Sequence, residues 1–327
     1  MANPTSASDR DCNAGVPLPA RPFVALRPHY GMLLGVADFE AEQAYHRGKQ
    51  RLHNAWAHGW GVLWGLGVRV DPGKGEVAVS PGLALDGRGR ELHNELPQCL
   101  NVARWFEAHR GDAGFEFTDS GGVIAFDAHV RIRHHACLTA PVPALADSCG
   151  HDAGGVAYSR VHETVLIELV PGPAPARTHR NHLLRVLAGL DAPATDDDGQ
   201  VLADDQAALD ARAAIAAAAP ADRVAAAAAA LHDIAVLDGL AERSADGGDG
   251  SGVGDEGDEG DDAQAALFPA AGPLTLALAG LQGVTLTPDG AGGSTLAVAA
   301  IDPRVRSVLL PTASLQALSG ALLAALA

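Results

Sequence analysis

The hydrophobic period changes from helical to two-residue across one glycine-rich junction, and this switch limits the possible folds more than any other feature. Residues 51–70 read RLHNAWAHGWGVLWGLGVRV. Upstream, Tyr45, Leu52 and Trp56 recur at helical spacing and predict one apolar helix face. Asp38 is the predicted N-cap, Glu40 and Glu42 fall in the first turn, and Arg47, Lys49 and Arg51 lie toward the far end. That order suits the helix dipole. Gly59 is placed to close the helix with a left-handed residue. Downstream, Val62, Trp64, Leu66, Val68 and Val70 alternate as a strand does.

The alternation continues beyond residue 70. Val77 with Val79 and Leu83 with Leu85 are short strands, separated by DPGKG and Pro-Gly signals, and DGRGRE at 86–91 reads as a hairpin turn. The run VIAFDAHVRIRHH places Ile124, Phe126, Ala128, Val130 and Ile132 on one face, with Asp127, His129, Arg131 and Arg133 on the other. Its expected partner is 160–171, with 137–159 as the loop between them, and 176–190 is predicted helical. The fold class is therefore α+β, mainly β. It combines short antiparallel strands, an N-terminal helix, an alanine-rich helical insert and a small C-terminal β domain.

Composition divides the chain further. Residues 1–22 are polar and proline-rich and predict a flexible arm, with a helix-plus-β main domain over 23–190. Residues 191–245 are alanine-rich and predict two helices broken at Pro220, with a thin apolar stripe. The stretch 246–262 holds eight acidic residues and no basic one, which predicts a linker over 246–265. Residues 266–327 return to β alternation and are expected to form the C-terminal domain.

A formal net charge of −17 argues against nucleic acid as a partner, since phosphate contacts need clustered Lys and Arg. No apolar stretch is long enough to span a membrane, and the N-terminus lacks a secretory pattern, so a cytoplasmic protein is expected. No G-x-S-x-G elbow or phosphate-binding P-loop occurs. The glycines at 59, 61 and 65 follow a helix and not a strand, which removes the dinucleotide reading.

Two groups of residues remain as candidate sites. Cys137, Cys149 and His151, with His134 or His135, supply the thiolate and imidazole donors of a structural zinc site. A disulfide between the cysteines is the competing reading. The second group is Tyr45, Trp56, His58, Trp60 and Trp64, expected as core or interface anchors because indoles bury large areas. His53 and His58 are five apart, about 140° around an α-helix, which sets them apart from each other.

The pattern over 29–170 resembles a bacterial family found with phage-tail-like contractile injection systems. The matching positions are Tyr30, Gly31, Leu33, Leu34, Asp38, Phe39, Glu42, Gln43 and Tyr45. They continue with Leu52, His53, Asn54, His58, Gly59, Trp60, Gly61, Val62, Gly65, Leu66 and Val68. CLTAPVPALADSC at 137–149 and YSRVHE at 158–163 also look like that family. The opening is loosely similar to the shoulder region of the type VI secretion baseplate subunit. Gly48, where a helix former is expected, and Trp64 depart from the pattern.

The resemblance implies a structural, baseplate- or fibre-associated component without enzymatic activity or a required cofactor. It would contact other particle subunits or further copies of itself, in a particle that is released or docked at a membrane. A cell-surface glycan or protein binding module is the first alternative, and a zinc-dependent hydrolase the second.

Overall fold

The computed structural model describes residues 23–143, 156–175, 181–244, 267–269, 272–290 and 293–317. The predicted arm and the acidic linker lie outside these residues. The chain forms two compact units, one spanning 1–177, 259–264 and 272–327, the other 178–258 and 265–271.

In the first unit, α1 (Val36–His53) starts at Gly35 and not at Asp38. Asp38 sits one turn inside, where its carboxylate accepts the Gly35 N–H at 2.8 Å and satisfies an otherwise orphaned donor. The face that packs is also different from the predicted one. Ala44, Gly48 and Ala55 are buried, while Tyr45 and Leu52 are only half-buried. Small residues admit close backbone approach, which a stripe of large side chains would prevent. The helix then widens into a π-turn (Asn54–His58), closed by the Gly59 N–H donating to the Asn54 and Ala55 carbonyls. Wider winding brings positions i and i+5 together. The His53 and His58 rings therefore meet edge-on at 5.1 Å, and the 140° separation expected of a regular helix does not hold.

Six short strands follow: β1 (Gly61–Gly65), β2 (Val68–Asp71), β3 (Glu76–Val79), β4 (Gly82–Leu85), β5 (Glu91–Asn94) and β6 (Gln98–Asn101). They form two three-stranded antiparallel sheets, β1-β4-β5 and β2-β3-β6. Each is half of one meander that bends between β1 and β2, β3 and β4, and β5 and β6. At the first bend Gly65 and Leu66 both take left-handed backbone, and the Leu66 N–H donates to the Pro81 carbonyl at 3.1 Å. At Gly65 a Cβ would lie 2.1 Å from that carbonyl oxygen, so only glycine fits.

After α2 (Val102–His109) comes a sheet of β7 (Thr118–Ser120), β8 (Val123–Pro143), β9 (Val156–Pro171), β10 (Thr275–Pro288) and β11 (Ser294–Asp302). One edge of β8 pairs with β10, and the other pairs with β7 and then β9. Two expectations change here. The predicted loop 137–159 is strand over 137–143 and 156–159, because the β8–β9 ladder continues as far as Pro143 opposite Val156, and residues 144–155 lie outside the described residues. The C-terminal segment is not a separate domain either. Residues Thr275–Leu286 pair with Ile124–Arg133, and β10 lies between β8 and β11. A strand with an open edge leaves a row of backbone donors and acceptors unmet, and β10 meets them.

One core joins the meander to the long sheet, with Trp60, Leu66, Val77 and Leu92 clustered with Phe106, Val130, Ile132 and Leu281. Its centre is aromatic, although aromatics make up only 4% of the sequence. Phe106 stacks on Phe126 at 5.6 Å and meets Phe117 edge-on at 5.1 Å. Past β11, residues 303–309 run along β1. The Val62 N–H donates to the Ser307 carbonyl and the Leu309 N–H to the Val62 carbonyl. Arg306 reaches the carbonyls of Leu278, Gly65 and Leu66.

The second unit packs α3 (His182–Leu187), α4 (Ala203–Ala217) and α5 (Arg223–Ser244) around Leu183, Val186, Leu187, Ala208 and Ile234. The alanine-rich helices break around Pro220 as predicted. The boundary, however, falls before α3 and not at 190. Two buried carboxylates account for this. Asp238 of α5 accepts the Leu183 and Leu184 N–H groups at the start of α3, and Asp205 of α4 accepts from His182 Nε2 at 2.8 Å. Hydrogen bonds of this kind are invisible to hydrophobic periodicity. Among the described residues, no helix is long and apolar enough to cross a membrane.

Candidate functional site

The tryptophans do not converge. Trp60 is 5% exposed and sits in the core, whereas Trp56 and Trp64 are 38% and 53% exposed. His58 is exposed at the end of the π-turn, and the half-buried Tyr45 packs edge-on against His46 on α1. The stretch 51–70 is thus a structural joint. At Gly61 a Cβ would fall 2.9 Å from the Ser307 backbone, which leaves no room for any other residue.

The described members of the proposed zinc tetrad do not come together. His134 and Cys137 lie three residues apart in a regular ladder, opposite Val165 and His162, which sends their side chains to opposite faces. Cys137 is also disulfide-bonded, and a sulfur so engaged is no thiolate donor. Cys149 and His151 lie outside the described residues. Among the described residues no group of three or more His, Cys, Asp or Glu side chains is arranged to hold a metal ion.

His134 belongs instead to an arginine-rich cleft of about 130 Å³. Helix α1 contributes Arg47 and Arg51, one turn apart, and Asn54 of the π-turn closes that end. The β4–β5 hairpin contributes Arg90, β8 contributes His134 and β9 contributes Glu163. Asp86 builds the hairpin. It is fully buried, accepts the Arg88 and Arg90 N–H groups at 3.0 and 2.8 Å, and pairs with the Arg90 guanidinium at 2.6 Å. Gly89, with φ of +66°, presses against α1, and Asn54 Nδ2 donates to its carbonyl at 3.1 Å. The turn predicted at DGRGRE is present, and it delivers an arginine to the cleft.

The ion pairing in the cleft is uneven. Glu163 is gripped by Arg47, while Arg51 stands 3.6 Å from the same oxygen, beyond hydrogen-bond reach. His134 Nε2 is buried without a hydrogen-bond partner among the described residues, 3.9 Å from Glu163 Oε1. Burial, followed by repulsion from Arg47 and Arg90, lowers the Arg51 pKa to about 10. Burial and the charges of Arg90, Arg51 and Arg47 push His134 down to about 3. His134 is therefore neutral at pH 7, in a positive local field.

This depression carries a sign for stability. Between pH 6.5, the ordinary imidazole value, and about 3, the unfolded chain binds the extra proton and the folded chain does not. The stabilisation is complete above 6.5 and is lost as pH falls toward 3, with a slope approaching about 1.4 kcal/mol per pH unit. Urea unfolding of the parent and His134→Gln at pH 7, 5 and 4 should show a gap that changes with pH in favour of the variant. A constant gap would remove the buried-imidazole account.

Sequence reasoning missed this site because its parts come from four separated segments. One signal was present: Arg47 and Arg51 at i, i+4 repel on a helix surface unless something anionic faces them. No known protein family and no curated protein matches the chain.

Proposed function

We propose that this protein is a structural subunit of a phage-tail-like contractile injection particle, built in through its N-terminal segment. The supporting observation is the run from Phe23 to Phe39. Tyr30 and Leu33 are 106% and 93% exposed, and Phe23, Val24, Leu34, Val36 and Phe39 are exposed with them. Seven large apolar side chains within seventeen residues are thus left uncovered by the described core. Exposed apolar residues scattered singly need no explanation, but a run this dense in the sequence is what an interaction segment offers a partner. Each such side chain yields about 1.5–3 kcal/mol when fully buried. Tyr30, Leu33, Leu34 and Phe39 are also among the positions that carry the family resemblance. The partners in this reading are other particle subunits, with baseplate or fibre as the position.

The test is co-expression with the sheath, tube and baseplate proteins of the same genome, followed by sedimentation of the particle. The double variant Tyr30→Asp, Leu33→Asp should keep the parent's unfolding midpoint, because exposed positions seldom shift stability by more than about 0.5 kcal/mol. It should nevertheless be absent from the pelleted particle. Incorporation at the parent level, or a genome without contractile-tail genes, would overturn the reading.

A further inference from the structure

We infer that the arginine cleft between α1, the β4–β5 hairpin and the β8–β9 ladder is a binding site for a small monocarboxylate. This goes beyond the assembly role and does not depend on it. Two observations carry it.

The first is an excess of hydrogen-bond donors. A guanidinium offers five N–H groups, and the Arg51 side chain is only 18% exposed. Arg47 is committed to Glu163 and Arg90 to Asp86, but the Glu163 oxygen nearest Arg51 stands 3.6 Å away, too far to accept a hydrogen bond. The second is the buried His134 Nε2, which lines the same cleft and makes no hydrogen bond among the described residues. A buried polar atom left unpaired costs about 1–3 kcal/mol, which a ligand acceptor would recover. With its proton on Nε2, the neutral imidazole donates, and the Arg51 fork supplies a bidentate grip on a planar carboxylate.

The charges already present select the ligand. Glu91 and Glu163 both line the cleft, so a doubly charged phosphate would meet more repulsion than a singly charged carboxylate. The volume of about 130 Å³ suits a short acid better than a large one.

Sodium acetate is the probe, titrated into the full chain at constant ionic strength with chloride as the balancing anion. Saturable shifts of the His134 ring resonances are expected, assigned by their absence in His134→Gln, with a dissociation constant on the order of 1 mM. Acetate should also raise the unfolding midpoint of the parent. Arg51→Lys keeps the charge but loses the fork, and should weaken acetate binding about tenfold or more. If that variant does not fold, the midpoint shift and the ring resonances of the parent still decide.

The proposal is overturned if acetate produces no saturable shift beyond chloride, or if Arg51→Lys binds acetate like the parent. Inorganic phosphate binding as tightly as acetate would overturn the singly charged class. Saturation by an acidic peptide but not by acetate would overturn the small acid in favour of a protein side chain.

Discussion

Truncating Phe106 to alanine should lower the unfolding free energy of the first unit by about 3–5 kcal/mol, a large share of the 5–15 kcal/mol of a typical domain. Phe106 is 2% exposed, and its ring meets those of Phe115, Phe117 and Phe126 at 5.9, 5.1 and 5.6 Å. Removing it loses the transfer free energy of the ring, opens a cavity and breaks three aromatic contacts, each contributing about 0.5–1.5 kcal/mol. Because Trp105 and Phe115 also lean on Phe126, the neighbouring rings brace one another and cannot easily collapse into the gap. Urea denaturation followed by tryptophan fluorescence is the measurement, with Phe106→Leu as the companion that refills most of the volume. A loss below about 1 kcal/mol for the alanine variant would mean that this cluster is not the centre of the core.

Replacing Gly89 with alanine should cost about 3 kcal/mol and disturb the arginine cleft as well. Two separate penalties combine. The left-handed backbone at φ +66° costs an L-residue about 1–2 kcal/mol. The new methyl would also lie 2.1 Å from the Arg51 carbonyl oxygen and 3.0 Å from the Ala55 nitrogen, backbone atoms that no rotamer change can move. Relief requires the hairpin to withdraw from the helix, at about 1–3 kcal/mol for overpacking. Gly114→Ala separates the two penalties, because Gly114 shares the positive φ of +80° but has nothing within 4 Å of its Cβ site. If the two variants lose equal stability, close packing of the hairpin against α1 is not what holds it in place.

Strand alternation and tight turns were legible in this sequence, whereas the cap and packed face of α1, the π-turn and the edge pairing were not. Phe126, Ala128, Val130 and Ile132 alternate in sequence and are buried together on β8, because side-chain direction along a strand depends only on position parity. The bent meander was visible as short runs between turn signals. Edge pairing was not visible. That β10 would join β8, rather than found a sheet of its own, depends on an open edge that no pattern within either segment records. The π-turn escaped for a related reason. Its residues NAWAH suit an α-helix, and only docking of Gly89 and Asn54 and the closing Gly59 show the wider winding. At the candidate site, Arg47 and Arg51 could be paired by spacing, but Arg90, His134 and Glu163 reach them only through tertiary packing.

The pairing of β8 with β10 also sets an order of events during synthesis. The residues of β8 that pair with β10 end at Arg133, and their partner strand begins at Thr275, about 140 residues later. β8 can close its other edge with β9 early, but the edge awaiting β10 stays open while the whole helical unit is made. The core of that unit, from Leu183 to Ile234, is complete in the chain before Thr275 is made, so it can fold during the wait. An open edge beside Phe126, Val130 and Ile132 offers a template for pairing with another nascent copy. The interval between synthesis of β8 and of β10 is therefore the period of greatest aggregation risk for this chain. Its yield should respond to translation speed across residues 178–274 more than to speed elsewhere.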